Sequence, residues 1–315
     1  MMSMRYHVIS LAAVFLALAT GVLLGSTTGS QRLLSVVAGD RGSLTGQIDQ
    51  LSAQRAELES RQRASNAFGA AVAPTVVKGQ LDGWRVVLVV TPDADAVDRD
   101  AIRQLVAQAG GTVTGELALT DAITDPARAD AIRDLTTRLL PSGAQLPPSA
   151  DAGSLVGGLL GSVLLTRSQD GSGRASARTD QAGAALAGLT QAGFVRAGSR
   201  PAPAQLAIVL TGGPLSSPDA PERAATLARL TAELDRAGSG TVLAGRAGSE
   251  GPAGAVGVVR ADTVTSAAVS TVDGVQTALG RVACVLALRE QAEGRAGRYG
   301  SGVNSQAPIP GASAG

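Results

Sequence analysis

Four carboxylates stand close together in this 315-residue chain: Asp93, Asp95, Asp98 and Asp100. They follow an apolar run and open a helical pattern, at the carboxyl edge where α/β proteins present ligands. Such a set has the chemistry to hold a hard cation such as Mg²⁺ or Ca²⁺. The same residues also suit the first turn of a helix, whose free amides and dipole favour acids, and this reading is preferred. Thr211-Gly212-Gly213 and Gly238-Ser239-Gly240 lie at strand ends, where a loop of amides cradles anions. Neither follows the spacing of a phosphate-binding glycine loop, so turn formation is expected of both.

Other chemistry lacks its parts. The chain has one His, one Cys, one Trp, two Tyr and three Phe, and Lys78 is its only lysine. One cysteine forms no intramolecular disulfide and no Cys/His zinc set. A nucleophile–base pair would need His7, which lies beside the start of a long apolar run. Soft-metal ligands are equally sparse: Met1, Met2 and Met4 precede that run, and Cys284 reads as a small core residue of the last helix. With a net charge of +1 and six aromatics there is no phosphate-binding field and no stacking platform, which excludes nucleic acid as a partner. No catalytic and no cofactor-binding residues are expected, and metal-ligating residues are left unassigned. The chain reads as a non-enzyme.

The elements that would carry these residues fall into five stretches. Residues 1–31 read as a membrane anchor with a short flank, because 24 consecutive residues from Val8 to Gln31 carry no charge. Their apolar part, Val8 to Leu24, is near the lower limit for crossing a bilayer core. Ala17-Leu18-Ala19 leaves a cleaved signal peptide as the alternative. Residues 32–68 read as a coiled-coil stalk. Val37, Leu44, Leu51 and Leu58 recur every seven residues, and Ile48 falls four after Leu44. This seam would pair two chains in a homo-oligomer; the alternative is a monomeric amphipathic stalk. Residues 69–82 read as a linker broken by Pro74 and Gly79.

Residues 83–293 carry the grammar of an α/β domain with a mostly parallel sheet. Trp84 to Val90 is a continuous β-branched run, as strands buried on both faces are. Ile102, Leu105, Val106 and Ala109 then make a helical stripe, and Thr112 to Leu119 a second strand. Asp125-Pro126 opens a helix with Ile132, Leu135 and Leu139 inward. Gly153 to Leu165 is apolar but too short to span, so it predicts a buried helix. Gln205 to Thr211 is a strand, and Asp219-Ala220-Pro221-Glu222 opens a helix in a capping-box pattern. Thr241 to Ala244 and Val256 to Val259 are short strands, and Val275 to Glu290 a final helix. Residues 294–315 are rich in Gly, Ser, Ala and Pro and read as a disordered tail.

Several of these segments carry a family resemblance. The opening Arg5-Tyr6-His7-Val8-Ile9-Ser10-Leu11-Ala12-Ala13-Val14-Phe15-Leu16-Ala17-Leu18, the segment Gln47-Ile48-Asp49-Gln50-Leu51 and Thr91-Pro92-Asp93-Ala94 resemble the actinobacterial copper transport outer membrane protein family, called MctB-like. So do Gly238 to Arg246, Ser270-Thr271-Val272-Asp273, Gly280-Arg281 and Tyr299-Gly300-Ser301-Gly302, in the family's order. The resemblance implies a cell-envelope role in copper homeostasis as a channel component, with copper as transported ion and no cofactor. It also implies an alternative: a dimeric scaffold for envelope assembly and cell division beside a SteA-like partner. The family name implies the outer membrane. One spanning helix and non-alternating strands instead favour a single-pass inner-membrane protein with its α/β domain extracytoplasmic.

Overall fold

The computed structural model describes residues 4–141, 143–149, 151–167, 175–196, 198 and 201–312; side chains at 4–6, 24–45 and 175–179 lie outside that description. Two compact units divide the chain between Ser65 and Asn66.

Backbone from Met4 to Val77 is helical (α1) and contributes to both units. In the first unit, Arg55 pairs with Glu59 and Arg61 with Glu57 at 2.8 and 2.6 Å, one turn apart on the solvated helix. Among the described residues no helix is long and apolar enough to cross a membrane.

The second unit is built on a six-stranded parallel sheet of order β2-β1-β3-β4-β5-β6. The strands are β1 (Arg85–Val90), β2 (Thr112–Ala118), β3 (Leu206–Leu210), β4 (Gly240–Ala244), β5 (Ser270–Val272) and β6 (Arg298–Tyr299). Its helices are α2 (Ala96–Gln108), α3 (Ala129–Leu139), α4 (Ala152–Leu164), α5 (Ala175–Gln191), α6 (Ala220–Ala237), α7 (Ala255–Ala261), α8 (Thr263–Ala268) and α9 (Ala278–Ala292). The continuous apolar runs are explained by two cores, one on each face. Val87 and Val89 of β1, with Ala207 and Val209 of β3, pack under α3, α4, α6 and α7. Val86, Leu88, Val90, Leu206 and Ile208 face the other way, onto α2, α9 and the end of α1. Strands covered on both sides have no need of polar alternation.

Helix α4 is buried as its composition requires, with Asp151 capping its start by accepting from the Ser154 amide at 2.9 Å. Gly153, Gly157 and Gly161 let it lie directly on α6. A Cβ at Gly157 would stand 2.7 Å from the Leu230 carbonyl oxygen.

Four expectations are corrected. The supposed linker, 69–82, is helical to Val77, and Ala73, Val77 and Leu81 are buried in the second core. Pro74 stands in the last turn of α1 and does not stop the helix, which runs on to the buried Val77. Val256 to Val259 belongs to helix α7, not to a strand. A short apolar run is ambiguous by pattern alone, and Gly257 allows α7 to close against the Gly251 and Glu250 carbonyls. Asp219 does not cap α6 with its side chain; Arg223 takes the carboxylate at 2.6 Å. The supposed tail is ordered through residue 312, forming β6 and burying Tyr299 and Ala307.

Candidate functional site

In a sheet of this order the chain leaves β1 in one direction to β2 and then in the other to β3. The crevice beyond the carboxyl ends of β1 and β3 is where such folds take ligands. Thr91 and Pro92 end β1 there, and Thr211, Gly212 and Gly213 end β3. The crevice is filled by the protein itself. The Asp93 carboxylate accepts the Gly212 amide at 3.0 Å, the Thr211 hydroxyl at 3.3 Å and the Thr91 hydroxyl. An anion seeking the Gly212 amide would find it already bonded to a carboxylate. What remains beside Asp93, Asp121, Thr211 and Arg223 is a cavity of about 50 Å³. That is room for ordered water.

The other three aspartates of the cluster are also engaged. Asp95 caps α2 by accepting the Val97 amide at 2.8 Å, and Arg246 reaches its other oxygen at 3.1 Å. The same guanidinium binds Asp98 at 2.8 Å, where that side chain is almost wholly buried. Asp100 faces solvent against Arg99 at 2.9 Å, whose hydrogen bond lowers its pKa. The preferred helix-start reading holds for Asp95, while Asp93 and Asp98 hold distant loops in place. Among the described residues no group of three His, Cys, Asp or Glu side chains is placed to hold a metal ion.

A second network closes the far edge of the sheet. Arg260 of α7, fully buried, donates to Asp273 at 2.7 Å, to the Thr271 hydroxyl at 3.0 Å and to the Tyr299 carbonyl at 2.7 Å. Burial lowers the guanidinium pKa, and Asp273 opposes that. Asp273 also accepts the amides of Ser301 and Gly302 at 2.8 and 3.1 Å. Gly300 has φ +129°, and a Cβ there would strike the Asp273 carboxylate, so this turn requires glycine.

Asp235, near the end of α6, is different. Burial pushes its pKa up to about 6, and its Oδ1 is shielded with no hydrogen-bond partner among the described residues. The Thr241 amide and the charges of Arg167 and Arg236 only partly offset that burial. It lines a groove of about 360 Å³ with Arg167, Gly238 and Gln291 at the amino edge of β4. Nothing in its sequence context marks it, because its neighbour Arg236 suggests an ordinary solvated pair. Cys284 is a core residue, as expected, with burial raising its thiol to about 12.

Of the pairing seam, Val37 and Leu44 lie outside the described side chains. Ile48, Leu51 and Leu58 are 62–64% exposed.

The fold and its edge thus define a doubly wound α/β domain whose ligand crevice is occupied by its own aspartate. The chain matches the family described as "Copper transport outer membrane protein, MctB" over residues 1–310, and it belongs to that family. It is 39% identical over 307 residues to the copper transporter MctB of Mycobacterium tuberculosis (strain ATCC 25618 / H37Rv), covering 96% of this chain and 97% of the relative. The copper transporter MctB of Mycobacterium leprae (strain TN) is 39% identical over 310 residues, with the same coverage. Three of the segments that carry the resemblance tie the edges: Gly238 to Arg246 bears the Arg246 clamp, and Ser270 to Asp273 with Tyr299 to Gly302 bears the second network.

Proposed function

We propose that this chain is a membrane-anchored cell-envelope protein with a role in copper transport, acting as a channel component in copper homeostasis. What carries the reading is the 39% identity, along 96% of the chain, to proteins named copper transporter MctB. The start of α1 supports the anchor. Val8, Ile9, Leu11, Val14, Phe15, Leu16, Leu18, Val22 and Leu23 are all exposed in the chain by itself. At 100° per residue they cover more than half the helix circumference, and uncharged small residues cover the rest. Such a surface is satisfied by lipid or by other helices. A single span cannot line a pore alone, so conduction would require several copies. The α/β domain would then stand outside the cytoplasmic membrane. The test is deletion of the gene under copper load: cell copper content should change, and purified protein should conduct in a planar bilayer. Unchanged copper content would overturn the reading.

The exposed Ile48, Leu51 and Leu58 favour a second reading, a non-enzymatic dimeric scaffold for envelope assembly and cell division that works with a SteA-like partner. Three apolar side chains on a solvated helix, successive ones three and seven residues apart, match what a pairing seam presents. Copurification of a SteA-like protein with the tagged chain tests the partner, and its absence from crosslinked membranes would remove it.

A further inference from the structure

The chain carries three Asp-Gly pairs, at 82–83, 170–171 and 273–274. This dipeptide has a chemistry of its own. A glycine amide nitrogen, with no Cβ beside it, is the least hindered nucleophile a main chain offers to the preceding aspartate Cγ. Asp170-Gly171 lies outside the described residues, and the fold treats the other two pairs oppositely. Asp273 is 2% exposed, and its carboxylate is taken by Arg260 and by the Ser301 and Gly302 amides. Asp82 and Gly83 are both exposed, in the turn that leads from the end of α1 into β1. The Asp82 carboxylate rests against Gly110 and accepts no hydrogen bond among the described residues, and the Gly83 amide donates none. Gly83 has φ +77°, and a Cβ on it would meet nothing within 4 Å, so solvent surrounds the reacting groups. Only the turn's own backbone bond, from the Trp84 amide to the Leu81 carbonyl at 3.0 Å, resists rotation of the pair.

We propose that Asp82-Gly83 is a site of spontaneous isoaspartate formation in the folded protein, and that Asp273-Gly274 is held unreactive by its network. The Gly83 nitrogen bonds to Asp82 Cγ and gives up its proton, and the carboxyl hydroxyl leaves with that proton as water. The cyclic imide so formed takes one water back at either carbonyl. Opening at Cγ restores aspartate. Opening at the main-chain carbonyl leaves isoaspartate, with the chain running on through Cβ and Cγ and longer by one carbon. Both ends of the turn that must absorb this carbon are fixed. Leu81 is fully buried with its amide on the Ala109 carbonyl at 2.9 Å, and the Trp84 carbonyl accepts the Thr112 amide at 2.8 Å. A longer chain between these points loses the Trp84–Leu81 bond, so conversion loosens the joint between α1 and β1. The site stands independently of the copper-transport reading.

The experiment keeps the full chain in detergent micelles at neutral pH, one sample folded and one in urea, and then digests both with trypsin. Cleavage after Lys78 and Arg85 releases Gly79–Arg85, and cleavage after Arg260 and Arg281 releases Ala261–Arg281 with Asp273. Electron-transfer fragmentation, which tells isoaspartate from aspartate at equal mass, reads conversion at each. In the folded chain, conversion at Asp82 should exceed that at Asp273 by on the order of tenfold or more, because Asp273 must first open a buried network. In urea the two should convert alike. Asp82→Asn, whose amide leaves more readily as ammonia, should form the imide faster. Asp82→Ser has no carbonyl to attack and should keep its melting temperature on ageing, while that of the unaltered protein falls. No conversion at Asp82 in the folded chain while the urea sample converts, or equal conversion at Asp82 and Asp273 in the folded chain, overturns the assignment. An aged, converted protein that melts with the fresh one would remove the effect on the turn.

Discussion

Arg246 and Asp98 are 148 positions apart in the chain and 2.8 Å apart in the fold. The contact joins the loop after β4 to the first turn of α2, and the same guanidinium also holds Asp95. It closes the crevice edge from outside while Asp93 fills it from within. Asp98 is 2% exposed, so its charge depends on this one partner. Removing the guanidinium leaves a desolvated carboxylate, and Arg246→Met is expected to cost about 2–4 kcal/mol. Urea unfolding measures the loss. The second change Asp98→Asn in the Arg246→Met background should recover part of it, because the stranded charge is gone. Equal losses in single and double variants would show that the pair is not what holds the edge.

The contact between α4 and α6 gives a sharper steric case. A methyl group added at Gly157 would lie 2.7 Å from the Leu230 oxygen and 2.8 Å from its Cα, both backbone atoms that cannot swing away. Gly157→Ala should therefore destabilise the domain by about 1–3 kcal/mol despite alanine's better helix propensity. A melting temperature equal to or above that of the unaltered protein would contradict the close packing.

Asp235 predicts a pH dependence with a definite sign. Its folded pKa of about 6 exceeds its ordinary value of 3.8. Between those values the native state binds more protons than the unfolded chain, so stability from this group falls as pH rises through that window. Above pH 6 the charge is buried at full cost. Asp235→Asn should raise stability at pH 7.5 by about 2 kcal/mol and change little at about pH 2.5, where both states are protonated. Thermal melts of both proteins at the two pH values decide it; a gain of equal size at both would point to packing, not to charge.

Much of the sheet could be read ahead because its signal is local. Runs such as Val86 to Val90 and Leu206 to Leu210 are apolar on every residue and rich in β-branched or aliphatic side chains, as doubly covered parallel strands are. The buried α4 was legible for the same reason. What escaped was held by contacts remote in sequence. Residues 298–312 look like a solvated tail by composition, yet Asp273 collects two of their amides and the Gly300 amide reaches the Ala307 carbonyl at 3.0 Å. Backbone donors leave no mark on composition. The four aspartates were visible, but Arg246, which takes two of them, lies across the domain. No spacing rule links it to Asp98.

The stretch before the sheet is a core element, and this too has a measurable consequence. Val77 is fully buried, and the Asn66 side chain accepts the Ala278 amide at 2.6 Å, helping to cap α9. Val77→Ala should cost about 1–3 kcal/mol and Asn66→Ala about 1 kcal/mol, as core and capping positions do. Chemical denaturation of the full chain distinguishes this from a linker, where both changes would be silent.

The seam residues connect structure to the scaffold reading most directly. Leu51 and Leu58 are exposed on α1 two turns apart, with no cover from their own chain. Leu44 continues the same register one heptad earlier. In a parallel pair these positions meet their counterparts, and a carboxylate at each would set like charges against each other inside the seam. Leu44→Glu with Leu51→Glu should therefore abolish the crosslinked dimer in membranes. The stability of the α/β domain should stay unchanged, since Leu51 is exposed and both positions precede that unit. Undiminished crosslinking in the double variant would separate dimer formation from this helix face and leave the scaffold without its pairing element.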